Sequence, residues 1–161
     1  MGKLDKNNIL LLVLFVSIFA LLSAYFIQYV LGHQPCNLCL IERIPYALSI
    51  IIIFFTYKFK QFEKKLIIIL ILLFLFSLIV SIYHFGIEQG FIQESLVCDL
   101  QSGSKILSKE ELLAELQKKT VSCKDVTFKL FGLSLTTFNI FISATIIGFL
   151  IKIFLNYEKN R

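Results

Sequence analysis

Two cysteines with two residues between them make up the segment Cys36-Asn37-Leu38-Cys39. That spacing lets a pair of thiols close into a small, reactive disulfide. The pair stands where one apolar run ends and another is about to begin, which puts its chemistry at a membrane surface. Cys98 and Cys123 fall in the other long polar stretch. Four thiols in two pairs beside a membrane point to electron transfer between soluble thiols and a lipid-soluble partner, carried by thiol–disulfide exchange. Arg43 follows Cys39 by four residues, and Cys39 falls near the start of a helix. Exposed amides at a helix start and a nearby cation both favour a thiolate. Zinc takes four clustered ligands, and His33 adds only one to the cysteine pair, so no metal is expected.

The elements that position these thiols are apolar. The chain has 161 residues, of which 57% are hydrophobic and 17% charged, and its mean hydropathy is +0.81. Such a balance excludes an ordinary soluble domain and fits a small polytopic membrane protein, a single integral domain over 1–161. Residues 9–27 are uncharged and long enough to cross hydrocarbon. This run is long for a signal peptide and no Ala-x-Ala site follows it, so it reads as an uncleaved span. Residues 44–57 make a shorter run that needs the preceding turn to span, giving 41–57; residues 66–85 and 133–151 supply the third and fourth spans. An all-α bundle of four transmembrane helices is the expected fold. The pI near 9.0 does not imply nucleic acid, because the basic residues are not gathered on one recognition element.

Charge sets the orientation. With the termini and the 58–65 turn on one side, that side carries nine Lys and Arg against three Asp and Glu; the other side carries seven against eight. The basic residues are also denser on the short inner segments, which places both termini in the cytoplasm. The loops 28–40 and 86–132, with all four cysteines, then face outward. In a bacterial inner membrane that is the oxidising periplasm. Arg43 sits at or just below the outer interface, a depth at which a charge suggests function.

Between Cys98 and Cys123, residues 108–119 read as a short amphipathic helix lying in the interface. Ser108 and Glu111 have capping-box spacing, and Leu112, Leu113 and Leu116 share a face. The Cys98/Cys123 pair suits either a structural staple or a second, more mobile redox pair. His84 and Glu88 are four apart, on one helical face near the outer surface. A neutral His there can donate to a carbonyl oxygen or move protons. Glu42 needs nothing more than a nearby cation as its partner. No haem or flavin motif is visible, and a quinone diffusing in the bilayer is the electron acceptor that fits.

Several segments together resemble the bacterial disulfide bond formation protein B (DsbB) family. They are Gln34-Pro35-Cys36-Asn37-Leu38-Cys39-Leu40-Ile41-Glu42-Arg43, then Tyr83-His84-Phe85-Gly86-Ile87-Glu88-Gln89, Cys98, Cys123 and Phe131-Gly132-Leu133-Ser134, in family order across most of the chain. The resemblance implies a protein thiol:quinone oxidoreductase that reoxidises a periplasmic thioredoxin-fold dithiol oxidase of the DsbA type. It passes two electrons to ubiquinone or menaquinone in the membrane pool. It further implies that Cys98 receives the partner's thiol, that Cys123 is its loop partner and attacks Cys36, and that Cys39 faces the quinone. Arg43 would bind and activate the quinone, with His84 and, more loosely, Glu88 near it. Two other classes share some of these features. Epoxide-reductase-like thiol oxidases carry the loop pair before the Cys-x-x-Cys, the reverse of the order here, and a stapled membrane scaffold would need no Arg43.

Overall fold

The computed structural model describes residues 6–93, 123, 129–130 and 133–159. Cys98 and the expected helix over 108–119 lie outside the described residues. The chain is an all-α membrane bundle. Helix α1 is Lys6–Tyr29, a short α2 is Asn37–Ile41, α3 is Arg43–Lys58 and α4 is Glu63–Glu88; after a two-residue ladder the chain enters α5, Leu135–Lys159. The stretches Lys6–Tyr29, Asn37–Lys58, Lys60–Glu88 and Leu135–Asn156 are each long and apolar enough to cross a bilayer.

Local chemistry explains each boundary. The second uncharged run is short, but α2 and α3 join at Glu42, whose backbone stays right-handed helical (φ −62°, ψ −19°). The joined stretch is 22 residues, about 33 Å at 1.5 Å per residue. Pro45 lies in the first turn of α3, where a missing N–H costs no helical bond. Helix α4 ends in a left-handed glycine, Gly90, at φ +77°. The Gly90 N–H donates to Ile87 O at 3.0 Å and the Phe91 N–H to Gly86 O at 2.9 Å, which stops the helix one residue past Glu88. Helix α5 starts two residues later than the uncharged run at 133. Leu133 and Ser134 instead pair antiparallel with Leu130 and Lys129, and the Thr137 N–H donates to Ser134 Oγ at 3.3 Å.

The four long helices are apolar on nearly every face, so they bury one stripe and turn the rest to lipid. Phe19 on α1 is 73% exposed and Phe54 on α3 is 67% exposed. The interior stripe gathers Ile9, Leu10 and Val13 with Ile53, Ile67, Leu70, Phe74, Ile147 and Leu150. Small hydroxyls stitch the helices where they approach closely: Ser49 Oγ donates to Ser17 Oγ at 2.8 Å, and Ser77 and Ser143 Oγ are 3.2 Å apart. At the end carrying the N-terminus, Lys6 Nζ meets Glu63 Oε1 at 2.5 Å, tying α1 to α4. The opposite end holds a second, smaller buried cluster of Cys36, Leu38, Ile87 and Cys123.

Candidate active site

Cys36 is the N-cap of α2, and its backbone there is extended (φ −73°, ψ 169°). Its Sγ accepts the Cys39 N–H at 3.3 Å, which turns both side chains to the same place. The two sulfurs lie 2.8 Å apart. Cys36 is buried, whereas Cys39 is partly exposed. Cys123 shares a buried apolar cluster with Cys36, Leu38 and Ile87, so a thiol from the second long loop belongs to the same cluster as the first pair.

His84 stands against this pair on α4. Its Nε2 is 3.5 Å from Cys36 Sγ, and its Nδ1 is 3.0 Å from Glu42 Oε1. The ring is 1% exposed. Glu42 is held in turn: Asn139 Nδ2 donates to Glu42 Oε2 at 3.1 Å and to Ser81 Oγ at 2.6 Å. Tyr46 OH donates to Asn139 Oδ1. Both oxygens of Glu42 are therefore engaged, and α2, α3, α4 and α5 all contribute to one polar knot. An Nδ1–H donated to Glu42 leaves the Nε2 lone pair facing the thiol. This is the arrangement by which a carboxylate fixes the tautomer of a histidine base.

Glu88 completes the knot at the end of α4. Thr136 Oγ1 donates to Glu88 Oε1 at 2.7 Å and is 3.2 Å from His84 Nδ1. Glu88 Oε1 lies 3.8 Å from His84 Nε2, with its side chain 6% exposed.

Arg43 points elsewhere. Its Nη1 donates to Gln28 Oε1 at 2.5 Å and its Nη2 to Ala24 O at 3.5 Å. The guanidinium sits 5.1 Å from the centre of the Tyr25 ring. An open cleft of about 370 Å³ lies here between α1 and α3, lined by Leu21, Tyr25, Leu40, Arg43, Ile44 and neighbouring residues. Its size and its apolar walls with one cation suit a flat, weakly polar ring. The sequence expectation set His84 and Glu88 loosely with Arg43. The structure sets His84 against Cys36 and Glu88 against His84, and neither lines the Arg43 cleft. Glu42 and Asn139 were not expected in the site. The one signal for Asn139 was an amide inside an apolar span.

The Cys36 thiol is held well above the ordinary cysteine range, chiefly because it hydrogen-bonds to Cys39 and then because it is buried; His84 opposes both effects. Replacing Cys39 with Ser removes the largest cause of the rise. Cys36 in C39S is expected to alkylate at lower pH than Cys36 in the reduced native pair, and adding H84Q moves the profile back up. Alkylation rates across pH on the purified protein read both shifts. The donor atoms of Cys36, Cys39 and His84 lie within 4.8 Å of one another, one short of the four that a structural zinc takes.

Comparison with known proteins agrees with this geometry. The family model described as disulfide bond formation protein DsbB matches residues 6–153. An uncharacterized protein of Rickettsia prowazekii is 31% identical over 163 aligned positions, covering 98% of this chain and 93% of the relative. No solved structure matches. With helices, thiol pair and family model all coinciding over nearly the whole chain, this protein belongs to the DsbB family of disulfide bond formation proteins.

Proposed function

We propose that the protein reoxidises a DsbA-type periplasmic dithiol oxidase and passes the two electrons to membrane quinone. The family makes it a membrane thiol oxidase linked to disulfide formation. What supports the finer reading is the placement of the Cys36/Cys39 pair. A histidine base lies on its buried side, and Arg43, four residues beyond Cys39, lines an apolar cleft.

In this reading both termini are cytoplasmic and the cysteines periplasmic. The partner's thiolate attacks Cys98 of the Cys98–Cys123 disulfide, forming a mixed disulfide and displacing Cys123 as the thiolate. Cys123, buried in the same apolar cluster, then attacks Cys36. That attack leaves Cys39 as the departing thiolate; the partner's second thiol then frees Cys98, which attacks Cys123 and releases the reduced Cys36. His84 Nε2 takes the Cys36 proton when the pair closes again, and Glu42 balances the imidazolium. Quinone, ubiquinone or menaquinone, supplies a two-electron, two-proton acceptor when bound. Arg43 and the Tyr25 face form the polar end of the cleft that would hold it. A stapled scaffold would have no use for a base aimed at Cys36.

Trapping tests the relay. Cys123→Ala leaves Cys98 a lone thiol that is expected to attack the disulfide of the oxidised thioredoxin-fold partner and form a mixed disulfide with it; the same variant is expected to stop quinone reduction with the reduced partner. Nonreducing electrophoresis reads the first and ubiquinone-1 absorbance the second. Normal turnover in a Cys98, Cys123 double variant sinks the relay. Labelling of Cys98 from outside intact, reduced cells checks the orientation, and labelling only after the inner face is opened reverses it.

A further inference from the structure

Glu88 has no part in the steps above, yet its carboxylate is buried and only half satisfied. Oε1 accepts from Thr136, whereas Oε2 has no hydrogen-bond partner. An unmet buried carboxylate oxygen is costly, so its position needs a reason. Two facts supply one. Glu88 Oε1 is 3.8 Å from His84 Nε2, the nitrogen that faces Cys36. Glu88 is also the last residue of α4, and the next two residues, Gln89 and Gly90, are exposed.

We infer that Glu88 is the proton exit of the site: it takes the Cys36 proton from His84 and hands it to water at the outer surface. The inference rests on the oxidase reading above. Closing the Cys36–Cys39 bond releases two electrons and two protons, and a quinone accepts two of each. Cys39 is partly exposed and exchanges its proton with surface water directly. Cys36 is buried, and its proton has no such path. It moves from Cys36 Sγ to His84 Nε2, then to the Glu88 carboxylate, then to water. The acceptor draws its protons from the same aqueous face, so the sum is zero. Electrons leave by way of Cys39 while this proton leaves along α4.

The titratable groups around His84 among the described residues are Cys36 and Cys39 from the first loop and α2, Glu42 at the α2–α3 junction, Glu88 on its own helix and Tyr46 from α3 beyond Glu42; Cys123 shares the buried cluster of Cys36. Helix α5 offers only the neutral Thr136 and Asn139. Glu88 is thus the carboxylate that faces Nε2, as Glu42 faces Nδ1.

Glu88→Gln keeps the shape and removes the proton carrier. The first readout needs no quinone: alkylation of Cys36 across pH, in protein whose other three cysteines are Ser. An anion at this distance favours the imidazolium, so E88Q is expected to slow alkylation at neutral pH about tenfold. The second readout is steady turnover with ubiquinone-1 in lipid nanodiscs. It falls to a similar degree, and added imidazole, a diffusible proton carrier, raises it in E88Q but not in the native protein. Glu88→Asp recovers most of both. Thr136→Val, which frees Oε1 and also removes the hydroxyl beside His84 Nδ1, shows the same two signatures in weaker form and guards against a Glu88 variant that fails to fold. An unchanged alkylation profile, a turnover defect that imidazole does not relieve, or E88D as impaired as E88Q each overturns the relay. If the native protein reduces no quinone, the oxidase reading fails on its own, while the alkylation profile still reports whether Glu88 and Cys36 are linked.

Discussion

Replacing His84 with Gln is expected to lower kcat by roughly 10²–10⁴-fold, the usual worth of a positioned base, with little change in KM for quinone. The ring is buried, its Nε2 is 3.5 Å from Cys36 Sγ, and nothing else basic faces that sulfur among the described residues. Gln fills similar space and keeps a donor toward Glu42 but cannot take a proton. The pH profile is the decisive reading. In the native protein the rate rises as His84 becomes neutral and able to accept. In H84Q that limb disappears, and the rate climbs only as the Cys36 thiol ionises unaided, far to the alkaline side because its contact with Cys39 and its burial hold it protonated. A native-like limb in H84Q would move the base elsewhere. Asn139→Leu is the milder companion. It strips Glu42 of one hydrogen bond and removes the Asn139 acceptor of Tyr46 OH, while Ser81 Oγ keeps its bond to Ser77 O, so it weakens the same limb through the ring's position.

Arg43→Ala is expected to cost roughly 10²–10³-fold in kcat/KM for quinone, the scale set by removing a donor from a developing anion. Docking of the partner oxidase stays near native. The loss has two parts. The cation goes, and so does the stem that closes the cleft against Gln28 and Tyr25. Arg43→Lys separates them. It keeps the charge but loses the planar fork and its stacking, so it lies between the two. Steady-state assays that vary quinone and partner in turn check this, and a defect confined to the partner's KM would place Arg43 in protein recognition.

Much of this was legible in the sequence, for physical reasons. An uncharged run of nineteen residues such as 9–27 has few fates other than a spanning helix. The Cys-x-x-Cys at a span boundary carries its chemistry in its spacing. What could not be read was direction. Membrane helices apolar on nearly every face have no wet side to betray which residues point inward. Glu42 and Arg43 are neighbours, and nothing in composition says that one turns into the bundle and the other toward α1. His84 was readable as a proton-handling residue near the outer surface, but its partner was not. That depends on how α4 is rotated against α2 and α5, a property of the packed bundle. Asn139 is an amide in an apolar run, and its bond to Glu42 joins residues 97 positions apart.

The unbroken passage from α2 into α3 makes the site a device of angular phase. Each residue along a helix advances about 100°, and one such step separates the acid that serves the proton from the cation that serves the electrons. Inserting a single alanine between Cys39 and Glu42 would leave hydropathy, span count and cysteine spacing untouched. It would swing both side chains a quarter-turn and more, taking Glu42 off His84 and Arg43 off Gln28 together. A relative carrying such an insertion would still look like a member of the family by every compositional measure, and its thiols would face a histidine without its Glu42 carboxylate and a cleft without its cation.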